Sequence, residues 1–396
     1  MTGPPVSVPP LSAPQPVPAP VAAVQPAASV PRKKGRNLYL DFLRAVALVR
    51  VVTYHTFNWA WLTLAFPAMG VMFALAGSLM ARSLDRGDRS ATAVVRARMR
   101  RLLPPVWLFG LVVVVAMLLS GWRPDEDGGG KAAGWARMVF WIVPISEPPF
   151  ADADWARQIV APLWYIRAYV LFVILSPLLL RVFRKAPWIS VAAFLALAAL
   201  AQSELLPLPA RVAAPFTDLA TFGACWLLGF AHRDGLARRL PAAGAGAAAV
   251  AVMAVGGWFV LAHPTEEGYD LGSIPLGQAF WSFGFVLLLL RFGPQSDHWI
   301  RRHRPLHAVV VLLNARAVTV YLWHEVALVL GVLLIDQMWR VPALENSLPL
   351  GAEWFLYLVA WPLIAVAVLL VGWSEDRAAK RPIRLWPRPD RQPDGV

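Results

Sequence analysis

The sequence predicts an all-α, polytopic membrane protein of about ten transmembrane helices, with both termini on the cytoplasmic side. Three observations carry this. The 396 residues are 58% hydrophobic and only 15% charged, with a mean hydropathy of +0.54, a composition ill suited to a water-facing surface. Apolar runs of roughly 20 residues, enough to cross a bilayer as a helix, recur along the chain. Lys and Arg gather in alternate connecting segments: with the N-terminus inside, cytoplasmic segments hold 27 of them and outer segments 6, the positive-inside pattern. The net charge of +13 is therefore read as topology, and nucleic acid is not an expected partner. The single cysteine, Cys225, sits in an apolar run and gives no disulfide framework. No HExxH or other zinc-type spacing of His and carboxylates is present, so no metal site is expected.

In chain order, residues 1–31 are a Pro/Ala/Val tract expected to be disordered or partly polyproline II. Arg32, Lys33, Lys34 and Arg36 then anchor a cytoplasmic tail spanning 1–36. No cleavable signal peptide is visible there. Spans are expected at about 38–59, 63–82, 102–120, 162–181, 187–204, 215–231, 242–262, 276–291, 314–335 and 351–373. Residues 134–150, with three prolines, are too short to cross easily and are expected to lie at the interface or re-enter within a long outer loop. The basic, Pro-rich stretch 375–396 is expected to be a cytoplasmic tail lying on the membrane surface.

The first span holds the densest chemistry. It carries Asp41, Arg44, Arg50 and His55, and ionisable groups inside a span point by default to function. At about 100° per residue, Arg44 and His55 lie roughly 20° apart around the helix and roughly 16 Å apart along it. Asp41 and Asn58 share that face, so one polar stripe should line a cavity or an internal network. A purely structural alternative stands beside it: an Asp41–Arg44 ion pair and a hydrogen-bonded core histidine. Arg50 lies off the face, paired to another helix or part of a second polar patch.

Four other stretches matter. Gly70, Ala74, Gly77 and Ser78 in the second span suit close helix packing. Arg96, Arg98, Arg100 and Arg101 precede the third span; guanidinium pairs chelate phosphates, and anionic lipid is the alternative ligand. Trp164, Tyr165 and Arg167 stand at the outer end of the fourth span, where rings could hold an acceptor and the arginine could either snorkel or face a cavity. Asp218 in the sixth span is a candidate partner for an arginine. Arg316, Tyr321, His324 and Glu325 interrupt the ninth span, His324 being either reactive or a structural hydrogen-bond former.

Several of these motifs resemble the membrane acyltransferase-3 family. Arg44-x10-His55 within LDFLRAVA and VVTYH matches that family's opening. Arg98-x-x-Arg101-Leu-Leu-Pro104 is similar to its R-x-x-R motif, Leu163-Trp164-Tyr165 to its L-W-[FY], and Tyr321-Leu-Trp-His324 to its Y-L-[WY]-H. The chain departs at Ala76, where the family usually has serine, and at Glu325-Val326, where Trp-Pro is common. The resemblance covers nearly everything after residue 36 and makes 37–374 a transmembrane acyltransferase domain. It implies transfer of an acyl group, often acetyl, from cytoplasmic acyl-CoA to a hydroxyl of a cell-surface glycan, lipid-linked sugar or secondary metabolite. In that frame His55 acts as general base, Arg44 grips the pantetheine-diphosphate arm, and Arg98 and Arg101 bind donor phosphates. Trp164, Tyr165, Arg167, Tyr321, His324 and Glu325 meet substrate, and Asp41 is structural. Acyl-CoA is then a substrate and no cofactor stays bound; glycan or lipid-linked acceptor and membrane lipid are the other partners. The expected location is the cytoplasmic membrane of a bacterium. A second class, a transporter or flippase for a sugar or lipid, also suits ten spans with buried charges. Acyl-CoA dependence lost on His55→Ala would separate the two.

Overall fold

Each expected span coincides with a helix in the computed structural model of the protein, which describes residues 3, 37–87, 89–124, 131–203, 205–266, 268–294 and 296–387. The N-terminal tract expected to be disordered, residue 3 apart, and its basic cluster lie outside the described residues. From residue 37 onward the order is α1 (Leu38–Phe57), α2 (Ala60–Ala65), α3 (Ala68–Leu84), α4 (Ala91–Leu119), α5 (Lys131–Arg137), α6 (Val139–Ile142), α7 (Asp154–Val160), α8 (Leu163–Lys185), α9 (Pro187–Gln202) and α10 (Ala210–Arg233). Then come α11 (Leu236–Arg239), α12 (Ala242–Ala262), α13 (Pro275–Phe292), α14 (His298–Arg302), α15 (Arg304–Ala315), α16 (Ala317–Met338), α17 (Pro342–Glu345), α18 (Glu353–Val371) and α19 (Trp373–Ala378).

Eight segments among the described residues are long and apolar enough to cross a membrane. The expected ten resolve into these eight plus two special cases. α1 has the length, 20 residues, but carries Asp41, Arg44 and Arg50. α9 is apolar but only 16 residues long. Outward-facing Leu119, Ile189, Trp258 and Leu370 give the bundle the apolar exterior that lipid tails solvate. The protein is an all-α integral membrane protein.

Local sequence sets the breaks. Asn37 caps α1 by accepting from the Tyr39 and Leu40 N–H groups, and Asn58 ends it in the left-handed region at φ 47°. Pro67 separates α2 from α3. The expected span 314–335 starts later, at Ala317, because the chain kinks at Arg316 and leaves α15 as a separate short helix. Residues 134–150 do not cross: α5 and α6 are short, and Trp107 and Trp141 donate to the carbonyls of Ile142 and Pro149 at 2.8 and 3.0 Å.

Packing follows the small residues. A Cβ on Gly77 would sit 2.3 Å from the Trp226 carbonyl oxygen, and one on Gly229 2.1 Å from that of Ala74. α3 and α10 therefore touch backbone to backbone, and apolar lipid supplies no drive that could replace such contact. α1 packs on α3, α15, α16 and α18, which brings its polar stripe against α15 and α16.

Candidate active site

The stripe on α1 splits into two stations. At the N-terminal end Asp41 and Arg44 approach to 3.7 Å. Arg44 also donates to Asn314 Oδ1 at 3.1 Å, while the Asn314 amide donates to the Asp41 carbonyl at 2.7 Å. Near the C-terminal end His55 Nδ1 lies 2.6 Å from Glu325 Oε1. The other Glu325 oxygen accepts from Gln158 Nε2 at 3.0 Å. His324 Nδ1 lies 2.6 Å from the Tyr321 carbonyl; a carbonyl only accepts, so Nδ1 carries the proton and Nε2 is left as a lone pair. That Nε2 is 3.5 Å from Glu325 Oε1, and neither atom has an aligned hydrogen-bond partner.

His55, His324 and Glu325 thus offer three metal-type donors within 4.8 Å of one another, a grouping that no sequence spacing reveals because two helices share it. A tetrahedral metal at about 2.0–2.1 Å from each ligand would hold ligand atoms about 3.3 Å apart. The 2.6 Å contact of His55 with Glu325 is shorter than that, a close imidazole–carboxylate approach that is not aligned as a hydrogen bond.

Two cavities flank this line. One, of about 230 Å³, is lined by Arg44, Arg98, Arg101, Tyr165, Tyr169, Asn314, Tyr321 and Glu375. It runs into a smaller polar recess through Arg98 and Arg101, where Arg86 and Arg89 join them. The other, of about 260 Å³, is lined by Arg50, Tyr54, His55, Thr63, Trp164, Asp270, Gln278 and Tyr321. Tyr321 borders both. It is 5% exposed, and its hydroxyl donates to the Pro162 carbonyl at 3.1 Å, so its ring is a fixed part of the wall between them.

A family model described as an acyltransferase domain, acyltransferase-3, matches residues 37–374. The chain belongs to the acyltransferase-3 family. It is accordingly a membrane acyltransferase. No curated protein and no solved structure matched the chain.

Against the family's motifs the structure separates the candidate residues. Arg44, Arg98 and Arg101 share one cavity; His55 and Trp164 share the other. Trp164 and Tyr165, expected together at the acceptor, face different cavities. His324 and Glu325, expected to meet substrate, are 0% and 1% exposed, with Glu325 in contact with His55. Arg167 neither snorkels nor stands free: it is buried and pairs with Asp218 at 2.6 and 3.2 Å, and it borders a third cavity with Trp164. Arg316, which could have shared a face with His324, turns away to Asp376 at 2.7 Å and to the carbonyl of Arg384. The backbone of Arg384 is thereby tied to the bundle, while residues 380–386 are exposed. Arg86, Arg89, Gln158 and Glu375 were missed by sequence reasoning. Only the first two carried a signal, a dense arginine run beginning at Arg82.

Proposed function

We propose that the protein transfers an acyl group, acetyl being the simplest, from acyl-CoA to an acceptor hydroxyl, with His55 as general base. The observation that carries this is the pairing of His55 Nδ1 with a buried carboxylate. A carboxylate only accepts, so its charge 2.6 Å away favours the proton on Nδ1 and leaves Nε2 as the basic nitrogen. The acceptor hydroxyl oxygen attacks the thioester carbonyl. The O–C bond forms, the C–S bond breaks, and the hydroxyl proton passes to His55 Nε2 and on to the departing coenzyme A thiolate. Glu325 stabilises the imidazolium in between.

The arginine-lined recess suits the donor. Four guanidinium groups at its mouth match the phosphates of coenzyme A, and Arg44 lies deeper on the path an extended pantetheine arm would take. The Lys and Arg counts favour this end at the cytoplasm and the His55 cavity towards the outside, and the cytoplasmic membrane of a bacterium is the location that goes with this reading. Trp164 on the second cavity offers a flat ring for a sugar. The thioester meets His55 only past Tyr321, so that ring is the boundary the acyl group must round.

The test is release of coenzyme A by protein reconstituted in lipid, comparing wild type with His55→Ala and Arg98→Ala/Arg101→Ala. Turnover lost in the first and weakened donor affinity in the second is the expected pattern. Turnover that survives His55→Ala, or transport without any acyl-CoA dependence, overturns it.

A further inference from the structure

Four arginines lie within spans or at their edges on the sequence reading: Arg44, Arg50, Arg167 and Arg316. Three of them have a carboxylate at ion-pair distance, Asp41, Asp218 and Asp376 respectively. Arg50 has none among the described residues. Among the described residues its one hydrogen bond is from Nε to the Leu62 carbonyl at 3.5 Å, the long limit, and its two terminal nitrogens meet no protein acceptor. The guanidinium lies over the Tyr54 ring, 4.8 Å from its centroid, and borders the same cavity as His55. The carboxylate on that wall, Asp270, attracts Arg50 through space but makes its hydrogen bonds elsewhere: Oδ2 accepts from the Tyr54 hydroxyl at 2.5 Å and Oδ1 from the Gly272 N–H at 2.6 Å.

An arginine inside a span without a carboxylate partner is a cation waiting for an anion. Its planar fork offers two parallel N–H groups, the geometry that chelates a carboxylate or phosphate. The Tyr54 ring is 4.8 Å from the Arg50 guanidinium and 5.2 Å from the His55 ring, so guanidinium and imidazole lie within about 10 Å of each other. One hydroxylated ring can bridge that gap, with a hydroxyl at His55 and an acidic substituent at Arg50.

We propose that the acceptor is an anionic polyol, a sugar bearing a carboxylate or a phosphate, and that Arg50 binds its acidic group beside His55. This rests on the acyltransfer reading above and names the substrate class of the same cavity. Asp270 takes part by holding Tyr54, on which Arg50 stacks, and by disfavouring an acceptor whose acid points the wrong way.

The experiment uses the full chain in lipid nanodiscs with acetyl-CoA and three acceptors: methyl glucoside, methyl glucuronide and methyl glucoside 6-phosphate. Wild type should prefer one or both charged acceptors by about 10- to 100-fold in kcat/KM, the worth of a charge-assisted hydrogen-bond pair. The carboxylate and phosphate arms show which acid is native. Arg50→Gln should abolish the preference and Arg50→Lys should retain part of it, with folding of each checked by melting temperature and gel filtration. Equal wild-type rates on charged and neutral acceptors overturn the proposal. So does an Arg50→Gln variant that slows all three alike, which would make Arg50 a stabiliser of the reaction's oxyanion. Binding of the same glycosides without acetyl-CoA is measured in parallel. An Arg50-dependent binding preference with no coenzyme A release would sink the transfer reading while leaving the anion site standing; its absence sinks the anion site.

Discussion

Replacing Glu325 by Gln tests the central claim about His55. The carboxylate lies 2.6 Å from Nδ1 and is 1% exposed. When the imidazole takes up the acceptor proton, the two form an ion pair, and unit charges about 4 Å apart at an effective dielectric of 20 attract by about 4 kcal/mol. Each 1.36 kcal/mol is tenfold in rate, so the lost attraction alone slows turnover about 10³-fold. Tautomer control adds to this. Gln158 donates to the far oxygen, so a glutamine at 325 would keep its carbonyl there and turn its NH2 to His55. Nδ1 would then accept, the proton would move to Nε2, and the base would be gone. The assay is thiol release from acetyl-CoA in lipid with saturating acceptor. The expected result is a fall in kcat of at least about 10³-fold, with donor KM unchanged because Glu325 does not border the arginine cavity. A loss below tenfold, or a loss confined to donor KM, would refute the pairing as the source of basicity.

Three further outcomes are expected. Arg98→Ala and Arg101→Ala should each raise donor KM by about 10- to 100-fold, by loss of a charge-assisted hydrogen bond, with titration of salt weakening wild type most. Tyr321→Ala should join the two cavities and admit water, so coenzyme A released without acceptor should rise relative to transfer; an unchanged ratio would mean that the ring is no barrier. Glu375, in the short helix α19, is held by the Thr319 N–H and hydroxyl at 2.8 and 2.6 Å, yet burial pushes its carboxyl up to about 7 from an ordinary 4.5. It is therefore neutral below that value and negative above it. Donor affinity should fall as pH rises through about 7 and lose that dependence in Glu375→Gln. The folded state keeps a proton that the unfolded chain releases, so this group's contribution to stability falls between pH 4.5 and about 7 and is flat above; KM against pH and melting temperature against pH check the two halves.

Much of the bundle was legible because lipid imposes a strong rule: apolar runs of fixed length become helices, and eight of the ten expected spans meet that rule among the described residues, the charged α1 and the short α9 being the exceptions. The polar stripe of α1 was legible from its period alone. The partners of the stripe were not. Arg44 meets Asn314 and His55 meets Glu325 across 270 residues, and helix period says nothing about which neighbour faces which. The same blindness put Trp164 and Tyr165 in one site, since neighbours in sequence point about 100° apart on a helix and here fall either side of a wall. Nor could helix period show that His324 and Glu325, expected to meet substrate, are both buried beside His55. Arg50 could be seen to leave the stripe, but its lack of a carboxylate is a property of the packed bundle only.

The long separation of those partners bears on how the protein is made. α1 is synthesised early and carries three charges, each of which costs about 2.5–3.5 kcal/mol at the centre of a lone inserted helix. The Asp41–Arg44 pair lies within α1 itself and can form at once. Asn314 is made 270 residues later than Arg44, which at about 5–20 residues per second is roughly a quarter of a minute to a minute of translation, and the Glu325 that His55 awaits comes on the same delay. For that interval α1 needs shelter from lipid, in the insertion machinery or against its nearest neighbour α3. Of the described ion pairs, the one between His55 and Glu325 waits longest for its second member.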